Sequence, residues 1–147
     1  MDYELTLNYL IMKAYEEFMA DVFPSLAAAG YGDIQPAYRH VFPYIAIRGA
    51  RLTEIAAQAG LTKQAVGYLV DSLEALGYVE RVPDPTDRRA KIVRFTERGR
   101  AQDRVAQASF AATERRLVKA LGREDVAELR RILARMRAHQ KARQGTE

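Results

Sequence analysis

Residues 51–96 read RLTEIAAQAGLTKQAVGYLVDSLEALGYVERVPDPTDRRAKIVRFT, and this stretch determines the fold. Up to Leu76 its apolar residues recur at the three- and four-residue spacing of amphipathic helices. Beyond Gly77 two short runs rich in β-branched residues follow, which is typical of strands. We therefore predict two short helices joined by a tight turn and followed by a β-hairpin.

Both helices have clear boundary signals. The first is predicted over Leu52–Ala59, and Gly60 is suited to the left-handed conformation that ends it. Thr62 is a good N-cap for the second helix, which we predict to run to Leu76 and to stop at Gly77. The apolar residues of this second helix share one face, and they are Val66, Leu69, Val70, Leu73 and Leu76.

The predicted hairpin has a charged tip. Its strands are Tyr78–Val82 and Lys91–Phe95, so that the eight residues 83–90 form the tip. The position of the two runs, rather than a tight two-residue turn signal, indicates the hairpin. The tip carries two carboxylates and two adjacent arginines, namely Asp84, Asp87, Arg88 and Arg89. A solvated turn does not need this much organised charge.

Longer helices are predicted on both sides. One runs from residue 3 to about 28 and another from about 35 to 47, inside which Pro43 removes an amide donor and produces a kink. A long helix begins after Thr96 and ends at Gly122, which separates it from a last helix. The apolar stripes of the first and last helices comprise Leu7, Ile11, Ala14, Phe18, Val22, and Val126, Leu129, Ile132, Leu133, Met136. The predicted class is mainly α with a small β-hairpin wing.

The composition excludes several classes of protein. The 147 residues suit one domain, and no apolar run approaches the roughly 20 residues that cross a bilayer. No cysteine is present, which excludes disulfides and thiolate catalysis, and with only two histidines, His40 and His139, we expect no zinc site. The N-terminus has no signal-peptide pattern, so we expect a cytoplasmic protein without a membrane anchor. From the residue composition we also expect no metal and no cofactor.

Positive charge is concentrated in the second part of the chain. Residues 1–50 carry 3 basic and 6 acidic side chains, whereas residues 51–147 carry 20 and 13. We therefore expect a polyanion to bind the second part. The two helices and the hairpin form a winged helix-turn-helix, in which the second helix inserts its N-terminal residues into the major groove of DNA.

Polar residues at the start of the second helix are the candidates for base contacts. Gln64 has the donor and acceptor that pair with adenine, and Lys63 reaches guanine or a phosphate. The missing side chain at Gly67 allows a close approach, and Tyr68 offers its hydroxyl to a phosphate or its ring to a thymine methyl group. The alternative is that these residues form only the solvated face of an amphipathic helix.

The sequence DPTDRRAKIVRFTERGR, which follows LVDSLEALGYVERV, resembles the signature of the MarR family of winged helix-turn-helix transcriptional regulators. The wing of that family reads Asp-x-x-Asp-Arg-Arg ahead of a strand that ends in Leu-Thr-x-x-Gly. The resemblance implies that about residues 34–100 are the DNA-binding lobe and that about residues 1–30 and 101–143 are helical dimerisation regions. Where the family commonly has Thr-Arg in the recognition helix, this chain has Gly67-Tyr68, so we expect a different operator.

The resemblance also implies roles for the wing. Arg89 is the arginine that the family inserts into the minor groove, and Asp87 is the aspartate that braces it. Such a groove concentrates negative potential, and a guanidinium held by a carboxylate loses less entropy on insertion. Arg88 contacts a phosphate or pairs with an acid of the protein; the alternative for the whole set is a surface ion-pair cluster worth at most about 1 kcal/mol per pair. The candidate DNA-binding residues are Thr62, Lys63, Gln64, Gly67, Tyr68, Asp87, Arg88, Arg89 and Lys91.

The resemblance further implies a dimer and an effector. We expect the apolar stripes of the terminal helices to serve self-association, although part of each belongs to the core of a single chain. A two-fold dimer reads a pseudo-palindromic operator. Many members of the family bind a small anionic or phenolic molecule that releases DNA, and the candidate residues here are Tyr38, Arg39, His40, Tyr44 and Arg48. The alternative for each is a core or surface role.

The sequence leaves three functional hypotheses. The first is a homodimeric repressor that binds double-stranded DNA and is released by an effector. The second is a winged-helix protein-interaction module with weak or no specific DNA binding. The third, an enzyme, is the least favoured because nothing pairs a nucleophile with a base and no glycine-rich phosphate loop is present.

Overall fold

The computed structural model describes residues 3–144, and at Leu5 and Gln144 it describes the backbone alone. Ala20–Gln107 form one compact unit, and the described parts of Met1–Met19 and Ala108–Glu147 form another. The helices are α1 (Leu7–Met19), α2 (Val22–Ala28), α3 (Phe42–Ile45), α4 (Leu52–Ala59), α5 (Lys63–Ala75), α6 (Glu97–Leu121) and α7 (Arg123–Gln144). The strands are β1 (Ala50–Arg51), β2 (Val79–Asp84) and β3 (Asp87–Phe95), and 3-10 helices cover Tyr3–Leu5 and Pro36–His40. The predicted class is confirmed.

The helix-turn-helix forms where its boundary residues predict it. Gly60 ends α4 with a φ of 66°, and the N–H of Leu61 donates to the carbonyl of Ala56 at 3.0 Å. The hydroxyl of Thr62 caps α5 by accepting from the N–H of Ala65 at 3.1 Å, which stabilises the helix by about 1 kcal/mol. Both caps satisfy polar groups that the helices leave unpaired, so the turn between α4 and α5 is fixed by local chemistry.

The core of the unit Ala20–Gln107 holds α5 against α4 and the strands. Its fully buried apolar side chains include Ile45, Ile55, Val66, Val70, Leu73, Val79 and Val93. Each contributes about 1.5–3 kcal/mol through removal of apolar surface from water. Leu69 and Leu76, also predicted to face the core, are half-buried and pack against it. One face of α5 is thereby fixed, and the opposite face is left to solvent.

The wing belongs to a three-stranded antiparallel sheet with the order β1-β3-β2. Its hairpin pairs as far as Asp84 opposite Asp87, which leaves Pro85 and Thr86 as the turn. The N–H and the hydroxyl of Thr86 donate to Oδ1 of Asp84 at 2.8 and 2.7 Å, and these side-chain bonds stabilise the tight turn. The predicted eight-residue tip is therefore wrong, because its ends are strand.

The sequence does not predict strand β1, because two residues carry no periodicity. β1 pairs with β3, with Arg51 opposite Ile92. Gly49 precedes β1 with a φ of +76°, and a Cβ at this position would lie 2.6 Å from the carbonyl oxygen of Val93. Only glycine fits this approach to β3, and the approach places Arg51 beside the wing.

Two prolines divide the N-terminal helices differently from the prediction. The helix predicted over residues 3–28 is divided into α1 and α2, because Pro24 has no N–H to donate to the carbonyl of Ala20. The helix predicted over residues 35–47 consists of a 3-10 helix and α3, and Pro43 lies in the first turn of α3. The predicted kink is therefore wrong, since a first-turn proline lacks only an N–H that has no partner within the helix.

The other unit exposes much of its apolar surface. None of the α1 side chains, all of which are described, is buried, and Val126 is the single buried side chain among those described in α7. The exposed large apolar side chains are Leu7, Leu10, Ile11, Met12 and Tyr15 of α1, and Leu129, Ile132, Leu133 and Met136 of α7. Much of both predicted stripes thus lies on the surface of the single chain. Within the described residues, no helix has the length and apolar character needed to span a bilayer.

Candidate nucleic-acid interface

The first two turns of α5 present a polar face to solvent. Lys63 and Gln64 are exposed, and Tyr68, four residues after Gln64 and therefore on the same face, is 76% exposed. Val66 and Val70 on the opposite face are fully buried. A helix anchored in this way holds its polar residues in a fixed orientation, as insertion into a major groove requires.

Among the predicted contact residues of this helix region, Thr62 also has a structural role, and Gly67 lies against α4. The hydroxyl of Thr62 is used as the N-cap of α5. At Gly67 a Cβ would lie 3.7 Å from Cδ2 of Leu52, which is an ordinary van der Waals distance. Gly67 therefore faces α4, where alanine would also fit, and its part in a close approach to DNA stays a prediction.

Asp84 is a buried carboxylate at the turn of the wing, with 7% of its surface exposed. Its Oδ2 accepts from Nε of Arg51 at 2.7 Å and lies 2.6 Å from Nη2 of the same guanidinium. The bonds from Thr86 to Oδ1, followed by those from Arg51, lower the pKa of Asp84 to about 2. The ionised carboxylate therefore holds the turn of the wing to β1 at neutral pH.

Asp87 contacts Arg89 in a different way from the prediction. Its Oδ1 accepts from the backbone N–H of Arg89 at 3.1 Å, and its Oδ2 lies 3.8 Å from Nη2 of Arg51. Among the described residues Asp87 makes no ion pair with the guanidinium of Arg89. Asp87 thus fixes the backbone at Arg89, and the guanidinium itself is exposed.

Arg88 and Lys91 are both exposed on the wing. Of the two roles predicted for Arg88, pairing with an acid of the protein is not observed among residues 3–144. A phosphate contact is the role that remains, and it stays a prediction, as does the role of Lys91 in DNA binding.

Arg81 joins β2 to the recognition helix α5, and sequence reasoning missed it. Its Nη2 lies 2.6 Å from Oδ1 of Asp71, its Nη1 pairs with Glu74, and its backbone N–H donates to Glu74 at 3.2 Å. The sequence signal that could have identified this contact was a pair of acids one helical turn apart on α5, followed by an arginine in the next strand. These contacts connect the wing to the recognition helix, which matters because both are predicted to contact the same duplex.

The predicted effector residues occupy two short helices and the segment after them. Tyr38 is buried, and its hydroxyl lies 2.8 Å from Oγ of Ser72, so this side chain belongs to the core. Tyr44 is half-buried and donates to the carbonyl of Gln58 at 3.2 Å. The remaining three are not buried: Arg39 and Arg48 are exposed and His40 is half-buried. A shared ligand site for the five residues stays a prediction.

Similarity to known proteins agrees with this geometry. A MarR family model matches residues 33–90, which contain the helix-turn-helix and the turn of the wing. The transcriptional repressor CouR bound to a 23-mer DNA duplex is similar with a TM-score of 0.69 and 29% identity, over 92% of this chain and 96% of that chain. CouR from Rhodococcus jostii bound to p-coumaroyl-CoA gives a TM-score of 0.69 and 26% identity, over 88% of this chain and 90% of that chain.

The shared fold extends to wild-type MarR from E. coli in its apo form. Its TM-score is 0.64 at 23% identity, over 90% of this chain and 97% of that chain. None of the curated proteins matches the sequence significantly. The family model covers the recognition helix and the wing turn, and the similarity to CouR covers nearly the whole chain. Residues 33–90 thus match the MarR family of transcriptional regulators, and the fold of nearly the whole chain is similar to that of the transcriptional repressor CouR.

Proposed function

We propose that the protein is a homodimeric repressor that binds double-stranded DNA sequence-specifically and is released by a small-molecule effector. The observation that carries the proposal is the unpaired positive charge at the wing tip, a name that we keep for residues 83–90. Arg88 and Arg89 are exposed and pair with no acid among residues 3–144, whereas Arg51, Arg81 and Arg94 are all paired. Free cations beside an exposed recognition helix are what a polyanion binds.

The same contrast disfavours a surface ion-pair cluster at the tip, since such a cluster needs acidic partners, and Arg88 and Arg89 have none among residues 3–144. In the proposed complex the N-terminal residues of α5 enter the major groove, and Arg89 enters the adjacent minor groove. Gln64 then reads a base, and the exposed Lys63 and Tyr68 contact bases or phosphates. The protein-interaction module, the rival function, gives no reason for unpaired arginines at this position.

The proposed dimer uses α1 and α7, within the regions of about residues 1–30 and 101–143, while about residues 34–100 bind DNA. Five large apolar side chains of α1 are 39–68% exposed in the single chain, and four of α7 are 41–47% exposed. Apolar surface of this extent on two helices is typical of an interface between protein chains. A two-fold dimer then presents two recognition helices to a pseudo-palindromic operator.

The proposed effector is small and anionic or phenolic. A CoA thioester of a phenolic acid combines both properties, and p-coumaroyl-CoA is the ligand bound to CouR from Rhodococcus jostii. Arg39 and Arg48 offer exposed cations for the phosphates of such a molecule. Tyr38 is committed to the core through Ser72, so we assign it the weakest part in binding.

We further propose that the protein acts in the cytoplasm, as a binding protein rather than an enzyme. Selection of duplexes from a random pool, followed by gel-shift titration, tests the central proposal. We expect a pseudo-palindrome whose affinity falls steeply with salt, because each neutralised phosphate releases counterions. Gln64→Ala is expected to return a changed motif. Failure to select any duplex at modest salt would instead favour the protein-interaction module.

A further inference from the structure

Arg51 is a basic residue of the winged unit that lies outside both the wing and the recognition helix. Its backbone is fixed twice, because it pairs with Ile92 in the sheet and precedes the first turn of α4. The N–H of Arg51 donates to Oε2 of Glu54 at 2.9 Å, which completes the start of that helix. Arg51 is thus rigidly connected to the helix-turn-helix.

The guanidinium of Arg51 reaches the turn of the wing. Its Nε and Nη2 approach the same oxygen of the buried Asp84 at 2.7 and 2.6 Å, and Nη2 also lies 3.8 Å from Asp87. The other oxygen of Asp84 holds both polar groups of Thr86. One guanidinium is therefore in contact with the carboxylates on both sides of the two-residue turn.

The backbone of the tip has few other restraints. Pro83 and Pro85 have no N–H to give to the sheet, and the pairing of β2 with β3 is irregular between Pro83 and Asp84. Asp87 in turn accepts from the N–H of Arg89 at 3.1 Å. A continuous set of charged contacts consequently links α4 to the backbone of Arg89.

From these contacts we infer that Arg51 is a positioning residue for DNA binding: it fixes the wing tip to the helix-turn-helix and thereby places Arg89 for the minor groove. The inference rests on the proposed function. Arg51 acts through Asp84 and Asp87 and needs no contact with DNA itself. Its planar fork, which holds Asp84 through two nitrogens, is a geometry that the single ammonium of lysine does not supply.

A double-mutant cycle tests the inference, with binding measured by gel shift on the operator that the wild-type protein selects. We expect Arg51→Ala to weaken binding about tenfold and Arg89→Ala to weaken it more. The double variant is expected to bind only slightly more weakly than Arg89→Ala, because Arg51 acts chiefly by placing that side chain. Losses that multiply in the double variant would overturn the inference, since Arg51 would then act independently of Arg89.

Two further variants separate geometry from charge. Arg51→Lys keeps the charge, and we expect its affinity to stay within about threefold of that of Arg51→Ala, whereas wild-type affinity would overturn the inference. Arg94→Ala is the matched control, because it removes an arginine of β3 that pairs with Glu80 at 2.8 Å, whereas Asp84 and Asp87 pair with Arg51. We expect it to change affinity by less than about twofold.

Amide hydrogen exchange in the free protein gives a readout that does not depend on DNA. Arg51→Ala is expected to accelerate exchange at Thr86 and Arg89 and to leave the amides of α5 unchanged. If the wild-type protein selects no duplex, the proposed function fails, and the exchange data still decide the structural role of Arg51. Unchanged exchange at Thr86 and Arg89 would overturn the inference in either case.

Discussion

The base and the tip of the wing use arginine in opposite ways. At the base, Arg81 and Arg94 face carboxylates of α5 and β2, and Arg51 reaches from β1 to the buried Asp84 at the turn. At the tip, Arg88 and Arg89 are exposed and face no acid among the described residues. Paired arginines cannot offer their full charge to a phosphate, whereas free ones can. The base therefore supplies orientation and the tip supplies binding.

The largest effect is expected at the end of the tip. Arg89→Ala should weaken binding to the selected operator roughly tenfold to a hundredfold, or by about 1.4–2.8 kcal/mol, because a narrow minor groove concentrates negative potential around an inserted guanidinium. Gel-shift titration gives the affinity, and thermal unfolding should show an intact fold, since Arg89 has no ion-pair partner among residues 3–144. Undiminished affinity would remove Arg89 from the interface.

The next effect concerns Asp84, the buried carboxylate at the turn of the wing. Because the folded pKa of Asp84 is lowered to about 2 from an ordinary 3.8, its stabilising contribution is present above about pH 4 and is lost as the pH falls toward 2. Asp84→Asn should therefore be less stable than wild type at pH 5–7. Urea unfolding at a series of pH values measures the difference, which should narrow below about pH 4. A difference that is constant across the range would contradict the role of the charge.

A smaller effect is expected at Arg88, the other free cation of the tip. Arg88→Ala should weaken binding to all duplexes alike, because phosphates carry no sequence information. The slope of log affinity against log salt should become less steep by about 0.9, which is the value for one phosphate contact. The selected motif should not change. A changed motif would mean that Arg88 reads a base or the groove shape.

Local signals in the sequence predicted the recognition helix but not the attachment of the wing. Gly60 and Thr62 mark the turn and the cap by their own chemistry, so α4 and α5 began and ended close to where the sequence predicted. The contact between Arg51 and Asp84 joins positions 33 residues apart, and strand β1 has two residues. Neither leaves a periodic pattern, because both depend on how distant segments meet in the folded chain.

The prolines also show what the sequence alone does not predict. Pro43 was predicted to kink a helix interior, but the chain begins α3 just before it. No break was predicted at Pro24, which separates α1 from α2. The sequence thus shows that a proline restricts a helix. Whether the proline lies in the first turn or in the interior depends on where the preceding segment ends. Tyr38 shows a related limit, because the bond between its hydroxyl and Ser72 of α5, which favours the core role, forms only in the folded chain.

The smallest effect is expected from the exposed pair at the base. Arg94 and Glu80 lie opposite each other on β3 and β2, 2.8 Å apart, and their side chains are 51% and 44% exposed. A double-mutant cycle of Arg94→Ala and Glu80→Ala should give a coupling of about 0.2–1 kcal/mol that falls as salt is added, because water and ions screen both charges. Urea unfolding of the four proteins measures this coupling, and a value above about 2 kcal/mol would contradict the exposed geometry.

The same Arg94→Ala variant also tests whether DNA binding depends on the total charge of the wing or on the position of each charge. It removes one positive charge from the wing, as Arg88→Ala does, but the lost guanidinium faces Glu80 instead of solvent. Its salt slope should therefore stay that of the wild-type protein, whereas that of Arg88→Ala becomes less steep. Equal slopes for the two variants would mean that total charge alone governs binding, and the distinction between a paired base and a free tip would then have no functional meaning.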